Sequence, residues 1–282
     1  MNYEAFYGLK KEPFGDIPDP NLFYSGPEHT RALVKLLHVI KKNRALGLLT
    51  GSIGCGKTTI IRKILADLEE EKYSVSLMTL TQPDFSAIWF DKKLGELFGM
   101  RFDSKGRTEM KLELIGELER RQKSNKKTVV LIDEANNITN PEVMEEIRGF
   151  LNLELEGYRL VTIILSGMGD MYQKIKDNTS LRQRVSTVVS LPPLTLTSTR
   201  EYVNYRLEQA GATGTIFNDE SLKLIYDFTS GIPRLINVIC DNALLEGALL
   251  KKKVVEESVI KRVGQELMFD RDLKKEENDK GQ

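Results

Sequence analysis

Apolar residues recur along this chain with two periods, and the change from one to the other divides it. Over 27–42 they fall at Leu33, Leu36, Leu37 and Ile40, the spacing of an amphipathic helix. Beyond that, short continuous apolar runs alternate with helical patterns. Strands are predicted at 47–50, 74–80, 128–132 and 160–165, and helices from near 57 to about 70 and over 85–98, 109–122, 141–153 and 171–184. The runs TVVLI and LVTIIL do not alternate in polarity, as expected of parallel strands buried on both faces. Strands that take turns with helices of this length predict a parallel sheet with right-handed crossovers. Residues 187–191 lead into Pro192 and Pro193, after which only helical patterns remain, at 197–210, 219–229, 233–250 and 256–267.

This organisation predicts an α/β domain over 27–193 and a small all-α domain over 194–268, followed by a charged flexible tail at 269–282. Ahead of them, residues 1–26 hold Pro13, Pro18 and Pro20 among Phe6, Tyr7, Phe14, Phe23 and Tyr24. That composition is too aromatic for a disordered leader and predicts an ordered arm packed across the following domain.

Composition removes several function classes. With 41 Lys plus Arg against 41 Asp plus Glu, no net field draws the whole molecule to nucleic acid or to an acidic membrane. The two cysteines, Cys55 and Cys240, have neither metal-ligand spacing nor a disulfide framework, which fits a reduced cytoplasmic chain. No apolar stretch approaches the roughly 20 residues of a membrane span, so the expectation is a chain without direct membrane insertion.

Chemistry enters at 48–59, LLTGSIGCGKTT, where Gly51, Gly56, Lys57 and Thr58 fill the phosphate-loop pattern G-x-x-x-x-G-K-[ST]. The backbone N–H groups of Gly51, Ser52, Ile53, Gly54, Cys55, Gly56, Lys57, Thr58 and Thr59 are candidates to cradle phosphates, because glycines let the loop close around an anion at a helix N-terminus. Lys57 is placed to reach the β- and γ-phosphates of ATP, and the Thr58 hydroxyl to ligate Mg²⁺. The strand at 128–132 then ends in Asp133 and Glu134, at the edge where an open α/β sheet places ligands. Asp133 is the candidate Mg²⁺ residue and Glu134 the candidate base for the attacking water. Ser166 ends the strand at 160–165 and lands beside the same site.

With these pieces in order, the chain resembles the AAA+ ATPases, and within them the ExeA or general secretion pathway A group. Tyr7-Gly8-Leu9-Lys10, Glu12-Pro13-Phe14 and Pro18-Asp19-Pro20 are similar to that group's opening signature. So are Leu181-Arg182-Gln183-Arg184-Val185 and Ser230-Gly231-Ile232-Pro233-Arg234-Leu235-Ile236-Asn237. The resemblance implies a P-loop sheet domain followed by a helical lid. It implies further that Ser166 is the sensor-1 residue, Arg234 the sensor-2 residue of the lid, and Arg184, or else Arg182, an arginine finger offered to a neighbouring copy. Where the better-known secretion members continue into membrane and peptidoglycan-binding parts, only the charged tail follows here. The resemblance therefore implies a short form: a Mg²⁺-dependent ATPase, homo-oligomeric with ATP, serving secretion, pilus-assembly or export partners from the cytoplasm, peripheral to the inner membrane through them. The alternative is an ATP-dependent DNA-binding regulator of transposition, favoured by the basic cluster Lys251, Lys252, Lys253, Lys261 and Arg262.

Overall fold

The computed structural model describes residues 2–15, 17, 22–102 and 106–269. Pro18, Asp19 and Pro20 of the opening signature and the charged tail beyond Phe269 lie outside the described residues. Two compact units divide the chain: one is Pro27–Ile53 with Lys57–Leu191, and the other joins Met1–Gly26, Gly54–Gly56 and Pro192–Gln282.

The first unit is built on strands β1 (Leu46–Gly51), β2 (Tyr73–Thr79), β3 (Lys127–Asp133), β6 (Val161–Gly167) and β7 (Val185–Leu191). Among the described residues they form one parallel sheet in the order β2-β3-β6-β1-β7. Every residue of β6 is buried, as are the last six of β3. This is what the unbroken apolar runs predict, since helices must then cover both faces. Those helices are α2 (Pro27–Lys41), α3 (Lys57–Asp67), α4 (Ala87–Leu97), α5 (Arg107–Lys123), α6 (Pro141–Leu151), α7 (Gly169–Asp177) and α8 (Thr179–Arg182). The helix expected over 171–184 is two helices. Asn178 ends α7 in extended backbone and caps α8, its side-chain oxygen accepting from Leu181 N–H at 3.1 Å. A small antiparallel pair, β4 (Glu154–Leu155) with β5 (Tyr158–Arg159), precedes β6 and was not predicted.

The second unit contains α1 (Tyr3–Tyr7), α9 (Leu196–Gln209), α10 (Asp219–Thr229), α11 (Pro233–Leu249) and α12 (Glu257–Glu266). The N-terminal arm expected across the sheet domain buries its side chains here. Phe14 meets Phe217 edge to face, Tyr24 stacks near Tyr202, and the Tyr3 hydroxyl bonds Asp241. Arg206, almost fully buried, donates to the Pro13 carbonyl at 2.5 Å and to the Tyr202 hydroxyl at 3.1 Å, so a charged group holds the arm at its proline. The chain leaves α10 through Ser230 and Gly231 at positive φ. A Cβ at Gly231 would lie 1.9 Å from the Leu194 carbonyl oxygen, so the glycine in the G-I-P-R stretch is required by a close backbone approach.

One buried charge in the first unit is unusual. Asp91 in α4 is fully buried and neither carboxylate oxygen has a hydrogen-bond partner, while Arg107 stands 3.9 Å away and itself pairs with Glu146. Burial first, and then the Glu146 charge, push the Asp91 carboxyl up to about 6 despite the opposing pull of Lys111 and Arg107. A folded-state acid held above its unfolded value makes stability fall as pH rises from about 4 to about 6, and leaves it level above that. Asp91→Asn should abolish this fall and so gain on the wild type at pH 7 by an amount on the order of 2 kcal/mol. Urea unfolding at pH 4, 5, 6 and 7 checks this, and an unchanged fall in the variant would contradict it.

Candidate nucleotide site

The site is assembled at the carboxyl ends of three neighbouring strands. Strand β1 ends at Gly51 between β6 and β7, where a Cβ would approach the Leu191 carbonyl oxygen to 2.7 Å. The loop then turns through Gly54 and Gly56 at φ of 82° and 94°, a region open to glycine and costly to other residues, and enters α3 at Lys57. Ser52 and Ile53 are exposed, Gly54, Gly56, Thr58 and Thr59 half-buried, and Cys55 buried. The Lys57 side chain curls back over its own loop, its ammonium donating to the carbonyls of Gly51 and Ser52, both at 2.9 Å.

Asp133 is the centre of the arrangement. Only 2% exposed at the end of β3, its carboxylate accepts from Thr58 Oγ1 at 2.6 Å on one oxygen. The other accepts from Ser166 Oγ at 2.8 Å and from the Glu134 N–H at 3.1 Å. Strand pairing explains why these residues meet. Ile132 lies opposite Leu165 and Leu49 opposite Ser166, so the three chain segments end level. A hydroxyl and a carboxylate side by side are the hard oxygen donors that suit Mg²⁺, which takes one or two protein ligands and keeps several waters. Thr58 and Asp133 therefore fit the metal expected of them.

Glu134 follows immediately with φ 55° and ψ 38°, the left-handed region that a residue with a Cβ rarely adopts. Two asparagines that the sequence reading passed over brace this turn. The Asn137 amide donates to the Leu80 carbonyl at 2.7 Å, and Asn136 Oδ1 accepts from Met168 N–H at 3.4 Å, tying the loop to the ends of β2 and β6. The signal for them was present, because two asparagines directly after an acidic strand end are turn formers with side-chain hydrogen bonds to offer. Arg182 closes α8, and Arg184 follows it half-exposed, its N–H bonded to the Leu181 carbonyl at 2.9 Å. In the other unit Arg234 is exposed in the first turn of α11, its N–H donating to the Gly54 carbonyl at 3.2 Å.

Sheet order, phosphate loop, acidic strand end and helical C-terminal portion together define a P-loop protein of the AAA+ type. The AAA domain family model matches residues 40–175. General secretion pathway protein A from Aeromonas hydrophila is 33% identical over 248 residues, covering 86% of this chain and 44% of that protein. The chain is thus an AAA-domain protein like General secretion pathway protein A, and spans less than half the length of that relative. Solved structures show the same fold at low identity. Cdc6p from Pyrobaculum aerophilum has a TM-score of 0.66 at 15% identity, covering 89% of this chain and 68% of its own. The Aeropyrum pernix ORC2 protein has 0.67 at 13%, covering 91% and 72%, and a RuvB mutant from Thermotoga maritima 0.54 at 15%, covering 84% and 67%.

The positive φ at Glu134 generates a test of its own. At ordinary sites glycine is less stable than alanine, but relief of a left-handed backbone reverses the order, so Glu134→Gly should unfold at higher urea than Glu134→Ala by about 1 kcal/mol. Equal midpoints, or alanine the more stable, would show that the turn carries no such strain.

Proposed function

We propose that this chain binds ATP with Mg²⁺, hydrolyses it, and uses the change of nucleotide state to drive conformational work in a secretion, pilus-assembly or export apparatus. The observation that carries the hydrolytic reading is the hydrogen-bonded set of Thr58, Asp133 and Ser166 beside the phosphate loop. Lys57 would exchange its bonds to the loop carbonyls for stronger, charge-assisted ones to the β- and γ-phosphate oxygens. Loop N–H groups from Gly51 to Thr59 would hold the same oxygens. Mg²⁺, when bound, would neutralise phosphate charge, and Thr58 and Asp133 are the residues to hold it.

Glu134 is the proposed general base. It accepts a proton from water as the water oxygen attacks the γ-phosphorus, the bond to the bridging oxygen breaks, and ADP and phosphate leave. Ser166 positions Asp133 through its hydroxyl and faces the γ-phosphate as sensor 1. Arg234 is proposed as sensor 2, and Arg184 as the finger acting on a neighbouring copy in a homo-oligomer. No ion pair among the described residues engages Arg182, Arg184 or Arg234, which leaves each guanidinium available. The role in secretion or export is supported by the likeness to General secretion pathway protein A. The proposed place of action is the cytoplasm, at the inner membrane through partners; among the described residues no helix is long and apolar enough to cross a membrane.

Regulation of transposition on DNA rested on a basic cluster whose charge is largely neutralised locally. Lys252 pairs with Glu256 and Lys261 with Glu257, both at 2.7 Å, and Arg262 pairs with Glu246 at 2.9 Å. Lys253 sits 4.0 Å over the Phe6 ring. Little unpaired positive charge remains there to release counterions from a phosphate backbone.

Lys57→Ala should lose ATP binding, measured by calorimetry, whereas Glu134→Gln should keep it and lose about 10²-fold or more in turnover. Wild-type affinity in the first, or unchanged turnover in the second, would contradict these roles. Arg184→Ala should cost about 10³-fold in turnover, as removal of a trans guanidinium does. Mixing it with Glu134→Gln should restore part of the activity, because some interfaces then join an intact site to an intact finger. No recovery at any ratio, together with a monomer in light scattering with ATP, would refute the trans arrangement.

A further inference from the structure

Strand β7 pairs with β1 on one side and with nothing on the other among the described residues. Its seven residues, VSTVVSL, include no charge and no proline, the two devices that ordinarily keep an open strand edge from pairing with another chain. Along β7, Ser186, Val188 and Ser190 are exposed, Val188 to 40%.

A groove of about 400 Å³ runs beside this edge, lined by Thr187 and Val188 of β7 and by Val34, Lys35 and His38 of α2. Val34 is 60% exposed, an apolar side chain standing over an apolar groove. The wall it belongs to is strongly basic. Arg31, Lys35 and Lys42 recur at helical spacing, with the polar His38 among them, on the exposed face of α2 and its end, and none of the three cations is in an ion pair among the described residues. Some surface cations elsewhere on the chain have carboxylate partners within the same helix, as Lys63 has Asp67 and Lys93 has Glu96. Here the positive charge exceeds the single acid of the helix, Glu28.

We propose that the β7 edge and the basic face of α2 form a docking groove for an extended, acidic segment of a partner protein, added to the sheet as a further strand. The unpaired N–H and C=O groups of β7 supply main-chain bonds, and the groove takes every second side chain, the usual division between affinity and specificity in strand addition. Carboxylates on the partner would face Arg31, Lys35 and His38, setting orientation and on-rate. A nucleic acid would use the cations and leave both the apolar groove and the strand edge unmatched. The inference does not depend on ATP hydrolysis, because no residue of the nucleotide site takes part in it.

The test uses the full chain, a fluorescent eight-residue peptide alternating Val and Glu, its Val and Lys counterpart, and a single-stranded DNA 20-mer. The expected result is salt-sensitive binding of the acidic peptide alone, weakened at least 10-fold by the double substitution Lys35→Glu with His38→Glu, which should bind the basic peptide instead. ATP turnover of the double variant should stay at the wild-type level, which shows that it is folded. Equal affinity of wild type and double variant for the acidic peptide would overturn the proposal, as would no peptide binding at all. It would equally fall if the DNA bound and lost affinity in the double variant, or if the wild type formed a dimer that the double variant abolished.

Discussion

A carboxylate removed from water is costly unless its oxygens are given partners, and Asp133 is the place where this chain meets that constraint. Its oxygens are satisfied by Thr58, 75 positions before it, by Ser166, 33 positions after it, and by the adjacent Glu134 N–H. Satisfying them requires β1, β3 and β6 to end level, and the parallel register delivers that. The start of α3 at Thr58, the end of β6 at Ser166 and the turn that carries Glu134 are thus tied to one buried group. A shift of β3 by a single residue would take that charge away from these partners and leave it buried without them.

The same set shows how local strain is tolerated next to chemistry. Glu134 occupies a backbone region better suited to glycine, and two asparagine side chains anchored to neighbouring strand ends hold it there. The strain belongs to a turn whose alternatives are blocked on both sides. In the helical unit the corresponding constraint is Gly231, where the backbone of Leu194 leaves no room for a side chain.

Much of this was legible in the sequence because it follows from periodicity and from residues with few uses. Continuous β-branched runs give buried parallel strands, and a glycine-rich turn ending in Lys57 and Thr58 gives a phosphate loop. What escaped depends on long-range packing or on single local bonds that leave no trace in the periodicity. The arm over 1–26 carries aromatics that fit either unit, and contacts such as Arg206 reaching the Pro13 carbonyl and Phe14 meeting Phe217 decide between them. Asn178 divides α7 from α8 through a single capping bond. The β4 and β5 pair spans two residues a side, too short for any alternation to show. The basic cluster near Lys252 reads as a binding patch until its carboxylate partners are seen across a helical turn.

The central claim is that Asp133 is a metal-holding residue and not only a structural one. Calorimetry of ATP binding to wild type and to Asp133→Asn, with Mg²⁺ and with a chelator in its place, addresses it most directly. The amide keeps an acceptor for Thr58 or Ser166 and removes the charge. The account predicts that Mg²⁺ raises ATP affinity in the wild type and has no such effect in Asp133→Asn, with equal affinities in chelator. An equal gain from Mg²⁺ in both proteins would contradict it.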